Sequence, residues 1–161
     1  DIIPGPALAH KAMKEAVICA EAIAFKESKY DHQPTPLDYG NMPACTYTGP
    51  EIASVGLTEK QAREAGMDIK VGKFPLMASG KASAVGATDG FVKVIFDAKY
   101  GEWIGTHMIG YNVTELIAQT TTARKLETTW HEQLDTIFPH PTMSEAIKDA
   151  IEDALGEAIH L

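Results

Sequence analysis

Two prolines bracket one histidine in Phe138-Pro139-His140-Pro141-Thr142-Met143-Ser144-Glu145, and a carboxylate stands five residues after that histidine. Each proline fixes its own φ and pushes Phe138 or His140 toward extended backbone, so the imidazole is presented from a chain with few conformations. A rigidly held histidine with an acid close behind it is the composition of a proton-transfer pair, His140 and Glu145. The same spacing has a second meaning. Thr142-x-x-Glu145 fits a capping box, in which Thr142 caps a helix and Glu145 reaches back to a backbone N–H. Spacing by itself leaves both readings open.

Other chemical signals are weaker. His131-Glu132 begins like a zinc-protease HExxH, but Asp135 stands where the second histidine is needed, so no metal site is expected. Gly80, Gly86 and Gly90 do not form GxGxxG between a strand and a helix, and no dinucleotide fingerprint is encoded. His32 and His160 are expected to be solvated, and His107 to be a hydrogen-bonded sheet residue. His10, beside Ala9 at the start of the first helical pattern, could donate to a nearby backbone or ligand. Cys19 and Cys45 form no close pair and are expected to be small buried apolar groups in a reducing compartment.

These residues need elements to position them. From Leu8 to Phe25 the apolar residues Met13, Ala16, Val17, Ala20 and Ile23 recur at helical spacing, which predicts a helix burying that stripe, with Lys11, Lys14, Glu15 and Glu21 on other faces. Residues 26–39, with Pro34 and Pro36, read as a linker. Strands are expected at 44–48, 51–57, 69–75, 91–96 and 103–109, with a hairpin turn at 97–101. A short helix over 59–65 follows the Thr58-x-x-Gln61 capping box. Asn112-Val113-Thr114-Glu115 opens another helix by cap logic, and the last runs over 143–158 with Ala146, Ile147, Ala150, Ile151, Ala154 and Leu155 as its buried stripe. Residues 79–90 are rich in Gly, Ala and Ser, and no definite element is assigned there. Consecutive strands with short turns, then two helices, predict an α+β fold: an antiparallel sheet with helices packed on one face.

With 14 basic against 22 acidic residues and a net charge of −8, the chain is poorly suited to a phosphate backbone, and no nucleic-acid partner is expected. No apolar run approaches the roughly 20 residues that span a bilayer, and no membrane association is expected. The chain opens at Asp1 without a methionine or the regions of a signal peptide, as a domain of a longer protein would.

Four runs carry a resemblance: Asp1-Ile-Ile-Pro-Gly-Pro-Ala-Leu-Ala-His-Lys-Ala, Tyr47-Thr-Gly-Pro-Glu-Ile-Ala-Ser-Val-Gly, His140-Pro-Thr-Met-Ser-Glu145 and Gly156-Glu-Ala-Ile-His. In this order, across essentially the whole chain, they resemble the C-terminal part of the dihydrolipoamide dehydrogenases. These belong to the flavin-dependent pyridine nucleotide–disulfide oxidoreductases.

The resemblance implies an FAD/NAD-linked reductase dimerisation domain at 40–161, preceded by the last helix of an FAD domain and a linker at 1–39. It implies that His140 is a general acid/base reaching a partner subunit's redox disulfide and that Glu145 orients it. Asp1, and the Ala7-Leu8-Ala9-His10 turn, would approach the flavin. A cis His140–Pro141 peptide is also expected. The parent enzyme would use FAD and NAD and act as a homodimer on lipoyl-bearing carrier proteins of 2-oxo-acid dehydrogenase or glycine-cleavage complexes. It would reside in bacterial cytoplasm or the mitochondrial matrix.

The segment lacks the redox cysteine pair, so by itself it is expected to be inactive. A non-catalytic dimerisation module and a sister disulfide reductase are the alternatives. Phe138-Pro139 departs from the family's common His-Ala, which removes a second histidine near the base.

Overall fold

A computed structural model describes residues 2–161, and the chain divides into two compact units, one ending at Met42 and the other spanning Pro43–Leu161. In the first, helix α1 covers Ala9–Lys26, shifted one residue toward the C-terminus from the expected 8–25. Its burial is the reverse of the expected pattern. Met13, Val17 and Ile23 of the apolar stripe are exposed, whereas Lys11 is 1% exposed and is the one buried residue of this unit among the described residues. The Lys11 ammonium donates to the Pro4 carbonyl at 3.3 Å and pairs with Glu15 at 3.1 Å. The Tyr39 hydroxyl donates to the same carboxylate at 2.7 Å. Gly5, at φ +117°, permits the approach: a Cβ there would lie 3.0 Å from Lys11 Cε. A lysine stem can be covered by a turn while its charge is bonded. The apolar stripe meets no layer of its own unit, and Cys19 is likewise exposed rather than buried.

The second unit is an α+β domain. Strands β1 (Ala44–Thr46), β2 (Glu51–Gly56), β3 (Ile69–Pro75), β4 (Phe91–Asp97) and β5 (Trp103–Gly110) form an antiparallel sheet in the order β1-β2-β5-β4-β3. Alternation puts Val92, Val94 and Phe96 of β4 on one face, opposite Met108, Thr106 and Trp103 of β5. Helix α4 (Val113–Lys125) lies against β2 and β5 on that face, and α6 (Glu145–Leu155) against β3 and β4. Together they close the main core with Ile117, Ala146, Ile147, Ala150 and Ile151. Each fully buried isoleucine contributes about 1.5–3 kcal/mol.

Helix α2 (Glu59–Glu64) has the expected Thr58–Gln61 capping box. Its Ala62 joins Ile95 and Ile104 in a smaller cluster on the reverse face, so the sheet carries a minor core there as well. A register shift at Ile95/Phe96 lets adjacent residues serve the two cores.

Three local expectations are revised. Residues within 79–90 form helix α3 (Gly80–Val85), capped by the Ser79 hydroxyl accepting the Ala82 N–H at 3.3 Å. Asn112 does not cap α4 with its side chain; it sits at φ +61°, and Glu51 of β2 accepts the Thr114 N–H at 3.0 Å and its hydroxyl at 2.7 Å. An additional helix, α5 (Trp130–Asp135), begins at a capping box of Thr129 and Glu132. That Thr-x-x-Glu signal overlaps the incomplete zinc motif and starts a helix where none is expected above.

Candidate functional site

Two anchors set the segment between α5 and α6. Trp130 meets Phe96 edge-on at 5.8 Å between centroids, which seats α5 against the sheet core. α6 lies so close to β3 that a Cβ on Gly72 would come 1.9 Å from the Ala150 carbonyl oxygen. Between these supports the chain runs through residues 136–144, and the His140–Pro141 peptide is cis.

His140 and Glu145 are brought together. His140 Nδ1 lies 2.8 Å from Glu145 Oε1, and Glu145 Oε2 accepts the Thr142 N–H at 2.8 Å. An ionised carboxylate can only accept, so Nδ1 carries the proton and donates it. Nε2 is then the basic nitrogen of an imidazole whose side chain is 79% exposed. Burial pushes the Glu145 carboxyl upward, but the Thr142 N–H and His140 outweigh it and hold Glu145 below the ordinary carboxylate range.

The capping box is only half closed. Glu145 makes its backward reach, whereas the Thr142 hydroxyl donates to the Pro139 carbonyl at 2.7 Å and contacts Ser144 Oγ at 2.8 Å. The helix cap is Ser144, in helical backbone and with no side-chain cap bond. Thr142 therefore braces the histidine loop instead of capping α6.

His160 is not simply solvated. Its Nδ1 lies 2.9 Å from Asp149 Oδ1, and that bond, with the attraction of the same carboxylate, raises the His160 pKa. Glu145, Asp149, Lys148 and His160 line one open cavity of about 310 Å³ with Asp135 and Phe138. A second His–carboxylate pair thus stands beside the first. Sequence reasoning missed it because Asp149 and His160 are eleven residues apart. The i, i+4 spacing of Glu145 and Asp149 was the available signal.

His107 is hydrogen-bonded as expected, its Nε2 lying 3.0 Å from the Leu57 carbonyl. Cys45 is half-buried against the core, and burial pushes its thiol pKa up. No group of three His, Cys, Asp or Glu among the described residues could hold a metal ion, and no helix among them is long and apolar enough to cross a membrane.

The remaining candidates belong to the other unit. Leu8 is extended at φ −127° and leads α1, with Ala7, Ala9 and His10 exposed around it. No side chain caps α1 and its first turn holds no acidic residue, so the positive end of the helix is not neutralised from within. Asp1 lies outside the described residues.

The family model for the pyridine nucleotide-disulphide oxidoreductase dimerisation domain matches residues 42–151. A dihydrolipoyl dehydrogenase of Zymomonas mobilis is 53% identical over 160 residues, covering 99% of this chain and 33% of that one. The Bacillus subtilis dihydrolipoyl dehydrogenase is 46% identical, covering 99% and 32%. A mitochondrial dihydrolipoyl dehydrogenase of Pisum sativum is 40% identical, covering 100% and 31%. The solved Cu(II) complex of the HOCl-induced flavoprotein disulfide reductase RclA from Escherichia coli superposes with a TM-score of 0.82 at 26% identity, over 92% of this chain and 32% of that one. The chain spans about a third of the length of the curated relatives it matches.

Proposed function

This chain belongs to the pyridine nucleotide-disulphide oxidoreductase family through its dimerisation domain, and we propose from that membership that it supplies the acid/base half of a dihydrolipoamide dehydrogenase active site. The observation that carries the reading is the 2.8 Å contact of His140 Nδ1 with Glu145, which leaves Nε2 open to solvent. His140 Nε2 takes the proton of a dihydrolipoyl thiol and leaves the thiolate, the form that attacks a disulfide sulfur. Glu145 holds the tautomer and favours the imidazolium that results. Thr142 fixes Glu145 through its N–H.

In this family reading the disulfide attacked belongs to the second subunit of a homodimer; Cys19 and Cys45 are single thiols and form no redox pair of their own. In this reading residues 1–39 are the last helix of an FAD domain and its linker, and 40–161 form the interface domain. In the complete enzyme FAD would supply the redox chemistry that reoxidises the dithiol, and NAD would be the final electron acceptor. The uncapped start of α1 fits the electron-rich edge of a flavin, which the Ala7-Leu8-Ala9-His10 backbone would approach; Asp1 would be a separate flavin contact. The thiol donor is a lipoyl-bearing carrier of a 2-oxo-acid dehydrogenase or glycine-cleavage complex. The setting is bacterial cytoplasm or the mitochondrial matrix, as the bacterial and mitochondrial relatives suggest.

In the full-length enzyme carrying this segment, His140→Gln lowers lipoamide turnover by about 10²- to 10⁴-fold, the usual weight of a positioned base, with flavin absorbance unchanged. Turnover near that of the parent would overturn the assignment. The likeness to the Escherichia coli flavoprotein disulfide reductase favours one second reading, a sister reductase. Turnover with several disulfides but not lipoamide would select it.

A further inference from the structure

α6 carries Glu145 and Asp149 on one face a single turn apart; Asp153, one turn further on, accepts the Lys73 N–H at 2.8 Å. Each of the first two is met by a histidine from beyond the helix: Glu145 by His140 from the preceding loop, Asp149 by His160 from the residues that follow. The Asp149 side chain is 14% exposed and that of Glu145 28%, and both line the same cavity of about 310 Å³. Like charges at i, i+4 repel, and the repulsion grows as the pair leaves bulk water. Without a counter-charge, Asp149 would press its field on Glu145. The other charged groups nearby are already used or opposed: Lys148 Nζ is bonded to Glu152 at 2.8 Å, and Asp135 faces the cavity from α5.

We propose that His160 and Asp149 form a positioning pair for Glu145, in which His160 neutralises the second carboxylate of α6 and pins the following chain along the helix. The two carboxylates then differ in role although they share a helix face. Glu145 serves His140, and Asp149 is held out of that exchange. As a proposal for acid/base chemistry it rests on the reading given above for His140. The coupling itself is a property of α6 and is measurable without turnover. In agreement with the geometry, His160 is among the groups that hold Glu145 below the ordinary carboxylate range.

The test is ¹³C NMR titration of the Glu145 carboxyl in the 161-residue chain. In the unmutated chain its resonance has a second inflection where His160 titrates, told apart from any that His140 imposes through its own contact with Glu145 by its loss in His160→Gln. In His160→Gln the Glu145 titration moves to higher pH, because Asp149 is left unpaired. In His160→Gln with Asp149→Asn it returns toward the parent, because the repelling charge is gone. Added salt shrinks the His160→Gln shift, as screening requires.

Absence of the second inflection, or equal displacement in the single and double variants, would overturn the proposal. The second result would mark a purely structural tether. A failed His140→Gln turnover test removes the catalytic reading and leaves the titration result standing. A failed titration removes only the positioning pair.

Discussion

Gly72→Ala tests how α6, and with it Glu145, is held to the sheet. Gly72 has no positive φ, so space alone decides the outcome. The added Cβ would lie 1.9 Å from the Ala150 oxygen and 2.5 Å from the Ala154 nitrogen, both backbone atoms with no rotamer to yield. Relief requires α6 to retreat from β3 by more than about 1 Å, a gap that forfeits roughly half of the dispersion attraction along the seam. That seam is Ala146, Ile147, Ala150 and Ile151, each 0% exposed. Overpacking costs about 1–3 kcal/mol, and a clash with backbone atoms that cannot yield puts Gly72→Ala at about 3; less about 0.4–1 kcal/mol from the stiffer unfolded chain, roughly 2 kcal/mol remains. At about 2–4 °C per kcal/mol for a chain of this size, the thermal midpoint falls by several degrees, read by circular dichroism. The His140–Glu145 contact loosens with it, visible in the same variant as a loss of the lowered Glu145 titration. A midpoint within about 1 °C of the parent, well below the expected shift, would show that the close β3–α6 seam does not position the site.

Glu51→Ala removes the acceptor that caps α4 from β2 and costs about 1 kcal/mol in urea denaturation, the usual worth of a cap. Glu51→Gln keeps an acceptor and loses less; equal losses would refute the cap. Stability also depends on pH at both ends. Glu145 and Glu59 are lowered from an ordinary 4.5: Glu145 by Thr142 and His140 against burial, Glu59 by Lys93 and then Arg63. Their contribution is complete above 4.5 and is lost as pH falls through the lowered folded values. His160 is raised from 6.5 by Asp149, so its contribution is complete below 6.5 and is lost as pH rises through the raised value. Thermal midpoints measured against pH therefore decline on both sides of about 4.5–6.5. Glu145→Gln flattens the acid limb and His160→Gln the alkaline one, and unchanged limbs in these variants would count against the assignments.

Much of the second unit was legible because its signals are local. Strand-type composition marked β3 as Ile69–Pro75, the Thr58–Gln61 box marked α2, and the stripe Ala146, Ile147, Ala150 and Ile151 is buried as its period requires. The reading failed where a local signal had two meanings or a distant partner. His131-Glu132 reads as a fragment of a metal motif while the capping box Thr129-x-x-Glu132 around it goes unread, and Asn112 reads as a cap whose work Glu51 performs on Thr114, 63 residues away. The α1 stripe has helical period, but periodicity states only that a face is apolar. What covers it is a matter of neighbours, and within its own unit the covered side chain is Lys11.

For Phe138–Glu145, the sequence by itself determined the residue types, the two fixed φ angles and the five-residue reach from imidazole to carboxylate. Those are properties of bonds and rings. It left open whether Glu145 would cap a helix or hold a histidine, because both uses need the same spacing. Tertiary structure decided that Glu145 does part of each, with one oxygen on the Thr142 N–H and the other on His140. It also set Asp149 and His160 beside them, since only the packing of α6 on β3 and the return of the chain past Leu155 bring those groups to one cavity.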